Sequence, residues 1–296
     1  MKKKVQILMS TYNGEKYLRE QIDSLLNQDY PNVEILIRDD GSKDDTKNIL
    51  FEYQKKYKNI FVYYGDNVGV TDSFFDLLKK SDADYVAFCD QDDVWLKEKI
   101  SRGVMSLEKE NEPTMYCSRK ILVDSQLNEL GISPEKIPVP SFENALVESI
   151  CTGCTCMMNK MLIDNIKSHI PVHAIIHDWW IYLVATYLGK VIYDEEAYIL
   201  YRQHDNNTIG MTNSMIGLIK AKINYINSNR GKLKAQLEEF NKLYSEYEEK
   251  DRVIRLLIAS EHGKAKLQTV FGKYYKRQLV LDQFITRGLF LFNKML

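Results

Sequence analysis

Over its first hundred residues the chain alternates short apolar runs rich in β-formers with segments of helical period, and this pattern constrains the fold more than any other feature. Lys4 to Met9, Val33 to Ile37, Ile60 to Tyr64 and Tyr85 to Phe88 read as strands. Between them Leu18, Ile22, Leu25 and Leu26 mark one helix face, Ile49, Leu50, Tyr53 and Tyr57 a second, and Thr71 to Lys80 forms a third helix. Each run ends in turn chemistry: Ser10-Thr11-Tyr12-Asn13-Gly14, Asp39-Asp40-Gly41-Ser42, Gly65 to Gly69, and Asp90-Gln91-Asp92-Asp93. A βαβαβαβ order predicts a mostly parallel sheet flanked by helices, with right-handed crossovers. Ligands of such sheets bind outside the carboxyl ends of the strands, so four polar loops are expected in one crevice.

Three carboxylates in four residues repel one another and resist burial. They predict a bound cation, and hard oxygen ligands favour Mg²⁺ or Mn²⁺ over zinc. The alternative is a solvated loop with Asp92 or Asp93 near the N-terminus of a helix spanning Trp95 to Leu107. The chain has no Gly-x-Gly-x-x-Gly after the first strand and no Gly-x-x-x-x-Gly-Lys-Ser/Thr, so neither a dinucleotide fold nor a P-loop that cradles phosphates with backbone amides is expected. A nucleotide in this crevice would need a metal on the acidic loop to neutralise its phosphates. Asp40 could accept from a pyrimidine N3–H and Tyr12 could stack on the base. Asp40 could equally form an Asx-turn or helix cap, a role also open to Ser42.

Composition narrows the class. With 296 residues, 45% hydrophobic and 27% charged, the chain reads as a soluble globular protein, long enough for one large α/β domain with additions or for two small domains. No run approaches the roughly 18 apolar residues of a membrane span, and Met1-Lys2-Lys3-Lys4 leads into a strand, so a cytoplasmic location is expected. Five cysteines, an odd number, suit reduced buried thiols; Cys151-Thr152-Gly153-Cys154 has metal or redox spacing but no second Cys/His pair. Residues 211–296 carry 16 Lys and Arg against 8 Asp and Glu, a net +8, which leaves 24 against 33 for residues 1–210. The acidic front suits a cation site, and the basic tail suits either an anionic surface or ordinary solvated helix faces.

Farther along, Met115 to Val123 and Tyr198 to Arg202 read as strands, and Ile132 to Ser141 as a proline-punctuated loop. Ile150 to Met158 reads as a strand of small and apolar residues in which Gly153 permits close approach of a sugar or backbone. A helix begins near Ile175 with Asp178 in its first turn. Helices follow over Ile216 to Tyr225, Leu233 to Tyr247 and Val253 to Ser260, then an apolar, basic piece from Tyr274 to Leu296 that suits a membrane, a partner groove or the catalytic domain.

Taken together, Ser10 to Gly14, Asp39 to Ser42, Asn67-x-Gly69 and Cys89-Asp90-Gln91-Asp92-Asp93-Val94-Trp95 resemble the family-2 glycosyltransferases of GT-A fold. Thr152 to Asn159, His177-Asp178-Trp179-Trp180 and Tyr201 to Asn207 resemble the rhamnosyltransferase-like branch. The resemblance spans residues 4–210. It implies a GT-A domain over 1–210, with a nucleotide-binding half to about 110 and an acceptor-binding half after it, followed by a C-terminal helical region, 211–296.

The resemblance also implies roles. Ser10, Thr11, Tyr12, Asn13, Asp40 and Asn67 would surround the nucleoside, with Asp90 at the ribose. Asp92 and His204 would carry Mn²⁺ or Mg²⁺, and Asp93, Gly153 and Arg202 would face the diphosphate and sugar. Asp178 would be the catalytic base and Trp179 and Trp180 would meet the acceptor. His177 occupies a position where relatives more often have Glu, and is expected to be structural. The implied activity is inverting transfer from a nucleotide sugar, dTDP-L-rhamnose or alternatively a UDP-hexose or UDP-HexNAc. The implied acceptor is a cell-envelope or capsular saccharide, free or lipid-linked, met at the inner face of the cell membrane, with no nucleic acid partner. A nucleotidyltransferase would usually carry a glycine-rich phosphate loop, which is absent; a non-catalytic nucleotide-sugar-binding scaffold is the other alternative.

Overall fold

The structure, a computed structural model, describes residues 2–203 and 231–296. The chain divides into two compact units, one of Met1–Pro138, Cys151–Ile170 and Ile176–Asp205, the other of Val139–Ile150, Pro171–Ile175 and Asn206–Leu296.

The first unit opens with the expected alternation: β1 (Val5–Thr11), α1 (Leu18–Leu26), β2 (Val33–Asp39), α2 (Thr46–Lys56), β3 (Ile60–Tyr64), α3 (Val70–Lys80) and β4 (Tyr85–Cys89). β1 pairs in parallel with both β2 and β4, and β2 with β3. The chain thus winds outward to β3 and returns to the far side of β1 for β4. The loops after β1 and β4 therefore flank the point where the winding reverses, the usual ligand crevice of such sheets. The core explains the unbroken apolar runs: Val5, Ile7, Leu8 and Met9, and Tyr85 to Cys89, are all buried, as expected for central strands covered on both faces. The predicted helix faces supply part of that cover, with Leu18, Ile22, Leu25, Ile49, Leu50 and Tyr53 packed in one core with Ile7 and Ile35.

Beyond β4 the sheet becomes mixed. It continues through β5 (Val94–Trp95), α4 (Lys99–Leu107), β6 (Thr114–Val123), β7 (Glu129–Ser133), β8 (Met157–Asn159), α6 (Lys160–Ser168), α7 (His177–Leu188) and β9 (Lys190–Arg202), with the short helix α5 (Phe142–Ala145) in the other unit. β8 joins the two halves by running antiparallel to β4 and to β6, and β9 runs parallel to β6.

Three expectations are corrected here. The helix expected from Trp95 begins only at Lys99, because Val94 and Trp95 pair with Leu200 and Ile199 of β9. Ile150 to Met158 is not one strand: Gly153–Thr155 form a 3-10 turn, closed by Thr155 N–H donating to the Thr152 carbonyl at 2.8 Å, and only Met157 onward enters the sheet. Ile132 and Ser133 belong to β7, so the proline-rich loop starts at Pro134.

The second unit holds α8 (Lys232–Leu243), α9 (Glu248–Ile258), α10 (Gly263–Phe271) and α11 (Val280–Leu291). The helix expected over Leu233 to Tyr247 ends at Leu243, and α10, which buries only Thr269 and Val270, has no counterpart in the sequence pattern. The helix expected over Ile216 to Tyr225 lies outside the described residues, as does His204. Among the described residues, no helix is long and apolar enough to cross a membrane.

Candidate active site at the carboxyl ends of the strands

The loops after β1, β2 and β3 are tied into one wall. Asp39, buried, accepts from Ser42 N–H at 3.0 Å and from the Ser42 hydroxyl, so it is Asp39 that fastens this turn. Asp40 is paired with the Arg38 guanidinium and accepts from Val68 N–H and Gly69 N–H, both at 2.9 Å. An ionised carboxylate has about four acceptor positions, so three partners leave one. Asn13 sits at φ +49° and binds the same turn, its N–H donating to Ser42 Oγ at 2.9 Å and its Oδ1 accepting from Lys43 N–H at 2.8 Å. Ser10 shares a hydrogen bond with Ser73 at 2.6 Å, and Thr11 is buried beside Asp39. Tyr12 and Asn67 are exposed on this wall.

Gln91, unassigned by sequence reading, clips the acidic loop to the first one: it accepts from Tyr12 N–H at 2.8 Å and donates to the Tyr12 carbonyl at 3.1 Å. A Cβ at Gly14 would lie 2.3 Å from Gln91 Oε1 and would have to displace this clip.

The acidic loop is drawn inward. Asp90, Asp93 and Cys154 each offer a ligand atom within 4.8 Å of one another. Asp93 is 1% exposed; its Oδ1 accepts from Arg202 N–H at 3.0 Å and its Oδ2 has no hydrogen-bond partner. Burial raises the Asp90 carboxyl to about 7, with repulsion from Asp92 and Asp178 adding, and pushes Asp93 well up, with repulsion from Asp90 and Asp92 adding. Two desolvated carboxylates, one with an orphaned oxygen, fit a divalent cation, and oxygen donors suit Mn²⁺ or Mg²⁺. Asp92 is half-buried, and its carbonyl accepts from Arg202 Nε at 2.8 Å. Arg202 also donates to the Ser125 carbonyl at 2.7 Å, pairs with Glu20 and lies over the Tyr17 ring. Its guanidinium, assigned by resemblance to the diphosphate, is turned into the protein as a strut for the acidic loop.

Asp178 stands in the first turn of α7, 8% exposed. Its Oδ2 accepts from Gly153 N–H at 2.9 Å and its Oδ1 has no hydrogen-bond partner. Burial raises this carboxyl to about 6, opposed by the Gly153 and Trp179 amides and by Lys120. Gly153 must stay small, since a Cβ there would lie 2.8 Å from His177 Nε2. His177 packs inward: it stacks on Phe74 at 4.1 Å between ring centres, meets Phe88 edge-on, and burial lowers it to about 3. Trp179 and Trp180, assigned to the acceptor, are both buried, Trp180 completely.

Lys120 of β6 was missed by sequence reading. Its Nζ donates to Thr152 Oγ1 at 3.0 Å, lies 3.9 Å from the Tyr201 ring centre, and favours the ionised forms of both Asp90 and Asp178. The available signal was the charged pair Arg119-Lys120 inside an otherwise apolar strand. All five cysteines are buried, with Cys117 Sγ and Cys151 Sγ in hydrogen-bond contact at 2.9 Å.

Residues 6–167 match the family model "Glycosyl transferase family 2". The chain belongs to that family. This family-2 glycosyltransferase is 31% identical over 242 residues to the dTDP-rhamnosyl transferase RfbG of Shigella flexneri, a match covering 72% of this chain and 80% of RfbG. Its fold is that of S. aureus TarS 1-349 solved with UDP-GlcNAc (TM-score 0.62, 18% identity, 97% of this chain and 80% of that one). It is also that of the mannosyltransferase PcManGT from Pyrobaculum calidifontis, solved with GDP-Man and Mn²⁺ (TM-score 0.57, 12% identity, 99% and 75%). Both are GT-A glycosyltransferases, so the GT-A expectation holds, and the chain is an enzyme of this class.

Proposed function

We propose that this glycosyltransferase moves L-rhamnose from dTDP-L-rhamnose, with inversion at the anomeric carbon, onto a lipid-linked saccharide of the cell envelope or capsule. The observation that carries the chemistry is the half-satisfied Asp178. One oxygen is fixed by the Gly153 amide, the other is without a hydrogen-bond partner, and the carboxyl is raised toward the pH at which a base works best. Its Oδ1 takes the proton of an acceptor hydroxyl, the hydroxyl oxygen bonds to the anomeric carbon, and the sugar–phosphate bond breaks on the opposite face with its electrons leaving on the nucleoside diphosphate.

The nucleoside lies against Ser10, Tyr12, Asn13 and Asn67, while Thr11, expected there, is buried behind them and donates to Asp39. Tyr12 stacks on the base, and the remaining acceptor position of Asp40 takes a pyrimidine N–H. Asp90, Asp92 and Asp93 would hold Mn²⁺ or Mg²⁺, which supplies charge neutralisation for the departing diphosphate. Arg202 keeps that loop in place, and Lys120 keeps Asp178 ionised.

The likeness to RfbG supports the rhamnosyl donor. The TarS complex with UDP-GlcNAc favours a UDP-sugar as the second reading. Thermal shift with dTDP-rhamnose and UDP-sugars, each with Mn²⁺ and with EDTA, separates them, because a ligand that binds only the folded state raises Tm. A shift with dTDP-rhamnose and transfer giving the opposite anomer supports the first reading. A response confined to UDP-sugars supports the second, and retention of configuration removes the inverting mechanism.

A further inference from the structure

Helix α11 is amphipathic in the reverse sense for a helix on a water-exposed surface. Its inward positions carry Asp282, Thr286 and Phe290, all buried. Its outward positions carry Val280, Leu281, Phe284 and Leu291, with Leu279 and Phe292 at the ends, and Val280 and Phe292 are 76% and 71% exposed. Gly288 continues this outer face, and a Cβ there would meet nothing within 4 Å. The inward polarity is satisfied: Asp282 lies 3.7 Å from Arg277, which also pairs with Glu148 at 3.0 Å. α10 packs against α11 and adds Leu267 and Phe271, one turn apart and both exposed. Single exposed apolar side chains are ordinary, but eight on two adjoining helices call for a partner.

Charge decides which partner. Residues 262–296 contain seven cations, Lys264, Lys266, Lys273, Lys276, Arg277, Arg287 and Lys294, and one anion, the buried Asp282; with Arg277 engaged by Asp282 and Glu148, six cations remain. A second copy of the chain would bring the same positive surface against it. A bilayer with anionic headgroups offers hydrocarbon for the apolar face and counter-charge for its lysines. We infer that the outer face of α10 and α11 seats this enzyme on an anionic membrane surface. The inference deepens the proposed function by naming the surface on which a lipid-linked acceptor is met, and it rests on that reading only for its purpose.

The test is flotation of the full chain with vesicles of phosphatidylcholine alone and of phosphatidylcholine with phosphatidylglycerol, without donor or acceptor. Binding is expected only to the anionic vesicles, weakening as salt rises. The triple variant F271S/F284S/F292S is expected to bind at least about tenfold more weakly, and K264Q/K273Q/K276Q to lose the salt dependence, each with an unchanged melting curve. The inference is overturned by failure of the native chain to bind anionic vesicles, or by undiminished binding of the serine variant. It is likewise overturned by a native dimer that the serine variant dissolves without any vesicle binding. Because binding is read without turnover, its failure leaves the transferase reading standing, and a failure of transfer leaves this face standing.

Discussion

At the end of β2, Asp39 and Asp40 are buried with partners on every oxygen, whereas Asp93 after β4 and Asp178 at the start of α7 each keep one oxygen with no hydrogen bond. The first pair uses its charge to shape a wall, tying Arg38, Ser42 and the 68–69 amides together. The second pair holds charge that nothing in the fold answers fully, and burial raises both carboxyls. Unanswered buried charge weakens a fold, so a chain that retains it at a strand-end crevice is reserving it for a ligand or a proton.

The largest effect that would sharpen this contrast is on turnover. Asp178→Asn keeps an oxygen for the Gly153 amide but cannot take a proton, so kcat for sugar transfer is expected to fall about 10²–10⁴-fold. Its Tm at pH 7 should not fall, because a neutral amide avoids the cost of burying a charge, the cost that raises the native carboxyl to about 6. The opposite signature is expected on the satisfied side: Arg38→Met leaves Asp40 buried without its cation and should cost about 3–5 kcal/mol of stability in denaturant unfolding. Equal stability losses at Arg38 and Asp178 would dissolve the comparison.

A smaller effect concerns the acidic loop. Mn²⁺ in excess is expected to raise the native Tm by a few degrees, and Asp93→Asn to lose most of that gain. The smallest is at Lys120, which favours the ionised Asp178. Lys120→Met should raise the base's pKa and move the acid limb of the kcat profile to higher pH, while Lys120→Arg restores most of it.

Much of this was legible in the chain. β1, β2 and β4 carry mostly apolar runs because both faces of the sheet are covered there, β3 at the edge is apolar but largely exposed, and the turns after all four carry Asp, Asn or Gly, so order and crevice followed from local pattern. What local pattern could not carry was pairing between distant segments. Trp95 continues a helical period in sequence but is claimed by Ile199 of β9. Arg202 looks like a phosphate ligand until Glu20, from a helix far earlier in the chain, is found against it. Trp179 and Trp180 look like sugar platforms until both prove buried. The role of Lys120 depends on a turn, Gly153–Thr155, that the small and apolar run around it disguised as strand.

The most direct test is the pH dependence of kcat for sugar transfer by the native enzyme and by Asp178→Asn. Asp178 must be ionised to accept a proton, and its carboxyl is raised to about 6, so the native rate should rise through about pH 6 and level off above it. In Asp178→Asn that limb should disappear along with nearly all activity. A native rate that stays flat between about pH 5 and 8, or a variant that keeps more than about a tenth of native activity, would contradict the assignment of the base.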